Sequence, residues 1–341
     1  MFYQLVEKII KMEQSGKKVL KLHIGDTRIP TPRVAVDAVK KAITSTNLGY
    51  SSSAGLQRLR ELAAEREGCK AQNIVVGPGS KHLIYGILTV FRKKYRNISV
   101  PSPFWSMYKL ASNSLGLKFF GIKTKLNTNW KFNSIPKSDI ILICNPNNPT
   151  STVYSNDSIK EVIENSHYPV IIDEAYKGLA FERIDSFDCI RIRSFSKEFN
   201  MENWRLGYAV VPDEIAKKLI QYNQITCTCV PNFVQAAGIA CLENEKELLK
   251  ENKKVWKKRL DAAASALKRA GFKFAMPQSA MYIFATHSAI SSGTHFSMEL
   301  LKHGVAVAPG EDFGEKRFFR MTCNATPEEL KEAVEKMEKI L

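Results

Sequence analysis

The chain has 341 residues, 44% hydrophobic and 25% charged, an ordinary composition for one large or two moderate globular domains. Its 50 lysines and arginines against 34 acids leave a formal charge of +16. These bases are scattered through segments such as FRKKYR (91–96) and ENKKVWKKRLD (251–261), which read as exposed helix faces with no nucleic-acid motif, so no nucleic-acid partner is expected. No apolar run approaches the ~18 residues of a membrane span. The seven cysteines form no CxxC pair, which fits a reducing, cytoplasmic setting and no metal site.

The N-terminal MFYQLVEKIIKMEQSGKK has the spacing of an amphipathic helix and carries acids, unlike a signal peptide. Short runs rich in Val, Ile and Phe then alternate with helical periodicity. Strands are predicted at NIVV (73–76), NISV (97–100), LKFFGI (117–122), DIILIC (139–144), PVIID (169–173), CIRIR (189–193) and GYAVV (207–211). Helices are predicted over 80–95, 104–114 and 155–166, with Pro101 and Pro103 stopping the strand before the second of these. This is the pattern of an α/β fold with a mostly parallel, doubly wound sheet. After about residue 231 a long helical region (232–271) leads to FKFA and MYIFA as strands, a helix at 295–304, the strands VAVAPG and RFFRMT, and a terminal helix from Thr326. Thr326, Pro327 and Glu329 form a helix-start signature. The expected organisation is an N-terminal helix and loop (1–30) packing with a small α+β unit (231–341), and a large unit between them (31–230).

Five segments following strands carry candidate chemistry. GPGSKH (77–82) opens a helix, where free backbone N–H groups attract an anion. PSPFWSMY (101–108) delivers Trp105 to the edge where open α/β sheets place ligands. NPNNPTS (145–151) is a rigid Asn-Pro loop that aims an Asn across that edge. IIDEAY (171–176) sets Asp173 at the end of an apolar strand, where a carboxylate is costly without a cation or donor, with Tyr176 close behind. SFSK (194–197) presents Lys197, and Arg205 follows with phosphate-binding chemistry. Taken singly, these segments also read as a tight turn, a core aromatic, a plain loop and a helix cap. Taken together they supply what pyridoxal phosphate requires: an anion site, a ring plate, a donor to the phenolic oxygen, an acid for the ring nitrogen and a lysine amine.

In NPNNPT, DEAY and SFSK…WRLGY, and nearly end to end from IGDTRIPTP (24–32) to FFRMTCNATPEEL (318–330), the chain resembles the fold-type I pyridoxal-phosphate aminotransferases of the aspartate/histidinol-phosphate superfamily. The resemblance implies roles residue by residue. Lys197 would bind the cofactor covalently and shuttle the proton, Asp173 would hold the ring nitrogen protonated, and Tyr176 and Asn148 would bond the ring's phenolic oxygen. Trp105 would stack on the ring. Gly79, Ser80, Lys81, Ser194 and Arg205 would hold the phosphate, with Tyr50 reaching in from the partner subunit of a homodimer. Arg320 would clamp the substrate carboxylate beside Gly25, and Asn148–Pro149 would be cis. Lys81 and Arg28 would meet a distal carboxylate, which favours aspartate or another dicarboxylic amino acid with 2-oxoglutarate as acceptor. A histidinol-phosphate aminotransferase, a β-lyase or decarboxylase such as one acting on threonine phosphate, and remotely a cofactor-sensing regulator are the alternatives. The chain departs from the usual loop GEPDFPTP at Thr27 and Arg28, from the usual glycine at Asn203, and from NPTG at Ser151.

Overall fold

The computed structural model describes residues 2–44, 49–132 and 138–341. Seven strands form one sheet in the spatial order Ile74–Gly77, Gly207–Val210, Ile190–Ser194, Val170–Asp173, Ile141–Cys144, Asn97–Ser102 and Lys118–Lys123. Gly207–Val210 runs antiparallel to both neighbours and every other pairing after it is parallel. The five strands at one side, from Ile74 to Cys144 in spatial order, are buried at every residue, as expected where helices cover both faces. Lys118–Lys123 is the exposed edge, with a lysine at each end.

This topology gathers the chemistry. The carboxyl ends of the parallel strands lie on one edge, and the antiparallel strand begins there. Gly207 is therefore in register with both Gly77 and Ser194, and Cys144 with Asp173. Gly207 has no alternative, because a Cβ would press on the Arg193 carbonyl and on the Ser80 amide.

Alternation along Ile190–Ser194 points Ile190 and Ile192 one way and Arg191 and Arg193 the other. The arginines enter a buried ionic network directly behind the sheet edge. Arg191 pairs with Glu67, and Arg193 reaches Glu67 (3.5 Å), Glu174 (3.6 Å) and Glu198 (3.1 Å). Glu198 also pairs with Arg66 (2.9 Å) and accepts from the Gly178 amide (2.6 Å).

Four expected elements change their bounds. Pro101 lies inside the strand Asn97–Ser102, paired with Ile122, because its missing N–H removes only one ladder bond. The following helices are shorter than expected, Ser80–Phe91 and Met107–Ser114. The helical region after residue 231 is two helices, Asn232–Glu243 and Glu245–Arg269. They break at Asn244, which leaves the helical region of backbone space and donates its side-chain amide back to the Ala240 carbonyl (2.9 Å).

A second, antiparallel sheet runs Ala308–Pro309, Phe319–Thr322, Tyr282–Thr286, Lys273–Phe274. Its core joins Leu22, Leu260 and Leu267 to Ile283, Phe319 and the terminal helix Pro327–Glu338. The N-terminal helix packs Leu5 and Ile9 against Leu301 and Ala306. The helix Asn232–Glu243 instead buries Val234, Ala237 and Cys241 with Ile74, Leu206 and Tyr208 of the large sheet. Along Glu245–Arg269, Trp256 packs with the large core and Leu260 with the small one.

Candidate active site

The helix Ser80–Phe91 starts at Gly79, an N-cap with φ 85° and no side-chain cap. The Gly79 amide donates to the Gly77 carbonyl (2.7 Å). The first-turn amides of Ser80 and Lys81, which the helix cannot satisfy, are thus the donors of the cradle. Gly79 contributes space: a Cβ there would meet the Arg205 guanidinium. Arg205, itself at φ 55°, is held by the carbonyls of Glu202 (2.7 Å) and Pro78 (3.4 Å). Ser194 ends its strand beside this cradle and accepts from the Ser196 amide (3.3 Å). The cradle borders a cavity of about 560 Å³ lined by Lys81, Trp105, Tyr108 and Arg205. Lys81 Nζ stands over the Trp105 ring at 5.4 Å.

Asp173, buried at the end of its strand, accepts from the Tyr108 hydroxyl (2.7 Å) and the Ala175 amide (3.1 Å). Burial raises its carboxyl to about 6, against the smaller lowering by those two donors. A cation or ring N–H⁺ beside it would reverse that shift. Until one arrives, the buried anion is a cost, because an acid whose folded pKa is raised binds its proton more tightly folded than unfolded. The cofactor-free chain should therefore lose stability relative to Asp173→Asn as pH rises from about 4 to about 6. Urea midpoints of the two proteins that keep a constant separation across that window would count against the shift.

Lys197 stands in the first turn after the Ile190–Ser194 strand, donating its amine to the Gly25 carbonyl and lying 3.9 Å from Glu202. Burial lowers it to about 8, while Glu202 and Asp26 oppose the drop. Gly25 has no room for a side chain, since a Cβ would strike the Tyr282 hydroxyl.

A third arm comes from the small sheet. Arg320 is buried between the rings of Tyr282 (4.3 Å) and Phe313 (4.8 Å). It donates to the His23 carbonyl (2.7 Å) and to Asn148 Oδ1 (3.0 Å), and its Nε has no hydrogen-bond partner. Among the described residues no carboxylate forms an ion pair with it, so the guanidinium is a buried cation held only by neutral acceptors. Asn148 Nδ2 donates to the Tyr176 hydroxyl (3.3 Å), and Tyr176 shares a hydrogen bond with Tyr282 (3.0 Å). Asn148–Pro149 is cis, as is Asn145–Pro146.

The edge thus brings together Gly79, Ser80, Lys81, Trp105, Asn148, Asp173, Tyr176, Ser194, Lys197, Arg205, Gly25 and Arg320. Two candidates stand apart. Tyr50 is 90% exposed. Arg28 is exposed at φ 48°, its backbone carbonyl accepting from Arg259 (3.3 Å). Four contributors escaped the sequence reading: Tyr108, Tyr282, Glu202 and Arg259. Tyr108 lies three positions after Trp105 within the helix expected over 104–114, whereas the other three meet the site only through long-range packing.

Residues 17–337 match the profile of aminotransferase class I and II. An aspartate aminotransferase from Thermococcus kodakarensis is 34% identical over 318 residues, covering 89% of this chain and 84% of that protein. An LL-diaminopimelate aminotransferase from Dehalococcoides mccartyi is 28% identical, covering 99% and 95%. The aspartate aminotransferase structure from Thermus thermophilus with maleate superposes with a TM-score of 0.94 at 22% identity, covering 99% of this chain and 96% of that one, and shows a common fold. With a family match over most of its length, the chain belongs to the class I and II aminotransferases.

Proposed function

We propose that this aminotransferase uses pyridoxal 5'-phosphate to move an amino group between aspartate, or another dicarboxylic L-amino acid, and a 2-oxo acid such as 2-oxoglutarate, in alternating half-reactions. The observation that carries the reading is the buried Arg320, sandwiched by two rings, without an anionic partner among the described residues and joined through Asn148 to Tyr176. An α-carboxylate satisfies such a guanidinium by bidentate hydrogen bonding.

The residues present fit the cofactor. The phosphate would lie on the Ser80 and Lys81 amides, Ser194 and Arg205, in space that a side chain at Gly79 would fill. Trp105 would cover the ring, Asp173 would accept a hydrogen bond from the protonated ring nitrogen, and Tyr176 with Asn148 would donate to the phenolic oxygen. When bound, the cofactor supplies an electron-withdrawing ring that acidifies the substrate Cα–H. The Lys197 amine would be the base that takes that proton from the substrate Cα. Its lowering to about 8 leaves part of the amine neutral near physiological pH, as a general base requires. Tyr176 and Tyr282 form a hydroxyl pair beside Gly25, and together with Arg320 orient the substrate carboxylate.

Tyr50, exposed in the single chain, fits a homodimer in which it reaches the second subunit's phosphate site. A cytoplasmic location fits seven free cysteines, and among the described residues no helix is long and apolar enough to cross a membrane.

Dicarboxylate preference rests on Lys81, whose amine lies at the Trp105 wall of the cavity, and secondarily on Arg28. Mixing the yellow holoenzyme with single amino acids, among them aspartate, glutamate, LL-diaminopimelate and histidinol phosphate, should bleach the visible band fastest with a dicarboxylate. Lys81→Ser should weaken aspartate use about 10- to 100-fold, in line with the loss of one charge-assisted hydrogen bond. An unchanged kcat/KM for aspartate would clear Lys81 of that duty. Release of ammonia and a 2-oxo acid from one amino acid, without an acceptor, would favour a lyase instead.

A further inference from the structure

Near the reactive lysine, a backbone amide of the N-terminal loop meets the side chain of Glu202. Residue 27 is threonine where the loops this chain resembles carry proline, so it has an amide N–H that proline lacks. That N–H donates to Glu202 Oε1 (2.7 Å), and the same oxygen lies 3.9 Å from Lys197 Nζ. The Glu202 carbonyl is fixed by Arg205 Nη1 (2.7 Å), and the Thr27 carbonyl by Arg259 Nη1 (2.8 Å). The carboxylate is thereby held on both sides, with 22% of the side chain exposed against 18% for Lys197. It is a charge placed by bonds to backbone, in a site drier than the surface.

We propose that Glu202 is a positioning residue for Lys197: latched by the Thr27 amide, its carboxylate faces the lysine amine and holds the proton on that nitrogen once it has been taken from substrate. The inference rests on Lys197 being the reactive amine. The other groups facing Lys197 are Asp26 and the Gly25 carbonyl on the loop, Arg205 beyond the Lys197 helix, Arg320 on the small sheet, and the Tyr282 hydroxyl near Gly25. The two arginines push the amine toward its neutral form, and Asp26 and Glu202 push it back. Glu202 is the nearer acid with a fixed position, so its removal should release the amine toward the neutral state.

Glu202→Gln separates charge from latch, because the amide oxygen still accepts from Thr27. In the full chain stripped of cofactor, Lys197 of this variant should acylate about tenfold faster than wild type near pH 6.5, read by peptide mass spectrometry, since the reagent needs the neutral amine. In the loaded protein, the pH titration of the visible band should move to lower pH. Glu202→Asp should return both profiles toward wild type. Overlaying profiles for Glu202→Gln and wild type would overturn the proposal. So would a change confined to Glu202→Ala, which would make the side chain a loop latch alone. A wild-type chain that gains no visible band with pyridoxal phosphate would instead sink the cofactor reading, and the acylation rates would still decide what Glu202 does.

Discussion

Lys197→Ala should lower kcat by about 10⁴-fold or more while leaving the chain folded, because in the proposed mechanism it removes both the anchor for the cofactor and the base that moves the proton. The side chain supports little of the fold. Its amine bonds one loop carbonyl, at Gly25, and pairs at 3.9 Å with Glu202, whose own oxygen keeps the Thr27 amide. Removing an amine that burial already drives toward neutrality costs little ion-pair energy. The variant should therefore melt within a few degrees of wild type and show no covalently attached cofactor after borohydride treatment. Turnover at wild-type rates would remove Lys197 from the chemistry and with it the proposed mechanism.

Glu198→Ala should have the largest effect on stability, roughly 3–5 kcal/mol, by leaving buried arginines without their counter-ion. Glu198 is fully buried, holds Arg66 and Arg193 at 2.9 and 3.1 Å, and accepts from the Gly178 amide. Neither arginine can escape to water, since Arg193 is buried in the strand next to Asp173 and Arg66 is nearly so. A urea midpoint shift of less than about 1 kcal/mol equivalent would show that Glu67 and Glu245 suffice as partners. Salt should rescue the variant weakly, because the site excludes solvent. Glu67 and Glu198 are held below the ordinary 4.5 by these arginines, against the burial that pushes them up. Their contribution is therefore complete above about pH 4.5 and is lost as pH falls below it, opposite in sign to the Asp173 effect. Because Glu198 follows Lys197 and Glu174 follows Asp173, disorder in this network should also reduce activity.

Much of the fold was legible because its signals are local. Fully buried parallel strands are short apolar runs, and ILIC, VIID and GYAV announced themselves. Helix ends were less so. The break at Asn244 depends on one side chain bonding back to Ala240, in a stretch whose composition stays helical on both sides. CIRIR was read as an apolar strand, yet its arginines are buried too. Nothing in the segment itself reveals that Glu67, over 120 positions earlier, waits for them.

The sequence by itself determined the class of fold and which short segments are candidates for the chemistry. A Gly-rich turn into a helix, an Asn-Pro loop, an acid ending an apolar strand and a lysine after the next strand are properties of a few consecutive residues. Only the tertiary structure decided how those segments meet. Parallel crossovers bring the strand ends to one edge, a reversed strand delivers Arg205 to the same edge, and the small sheet carries Arg320 to Asn148 across 172 positions. The Thr27–Glu202 latch spans 175 positions. Side chains so far apart share no periodicity, so their pairing comes from packing, where each buried polar group has to find a partner that the chain has carried there.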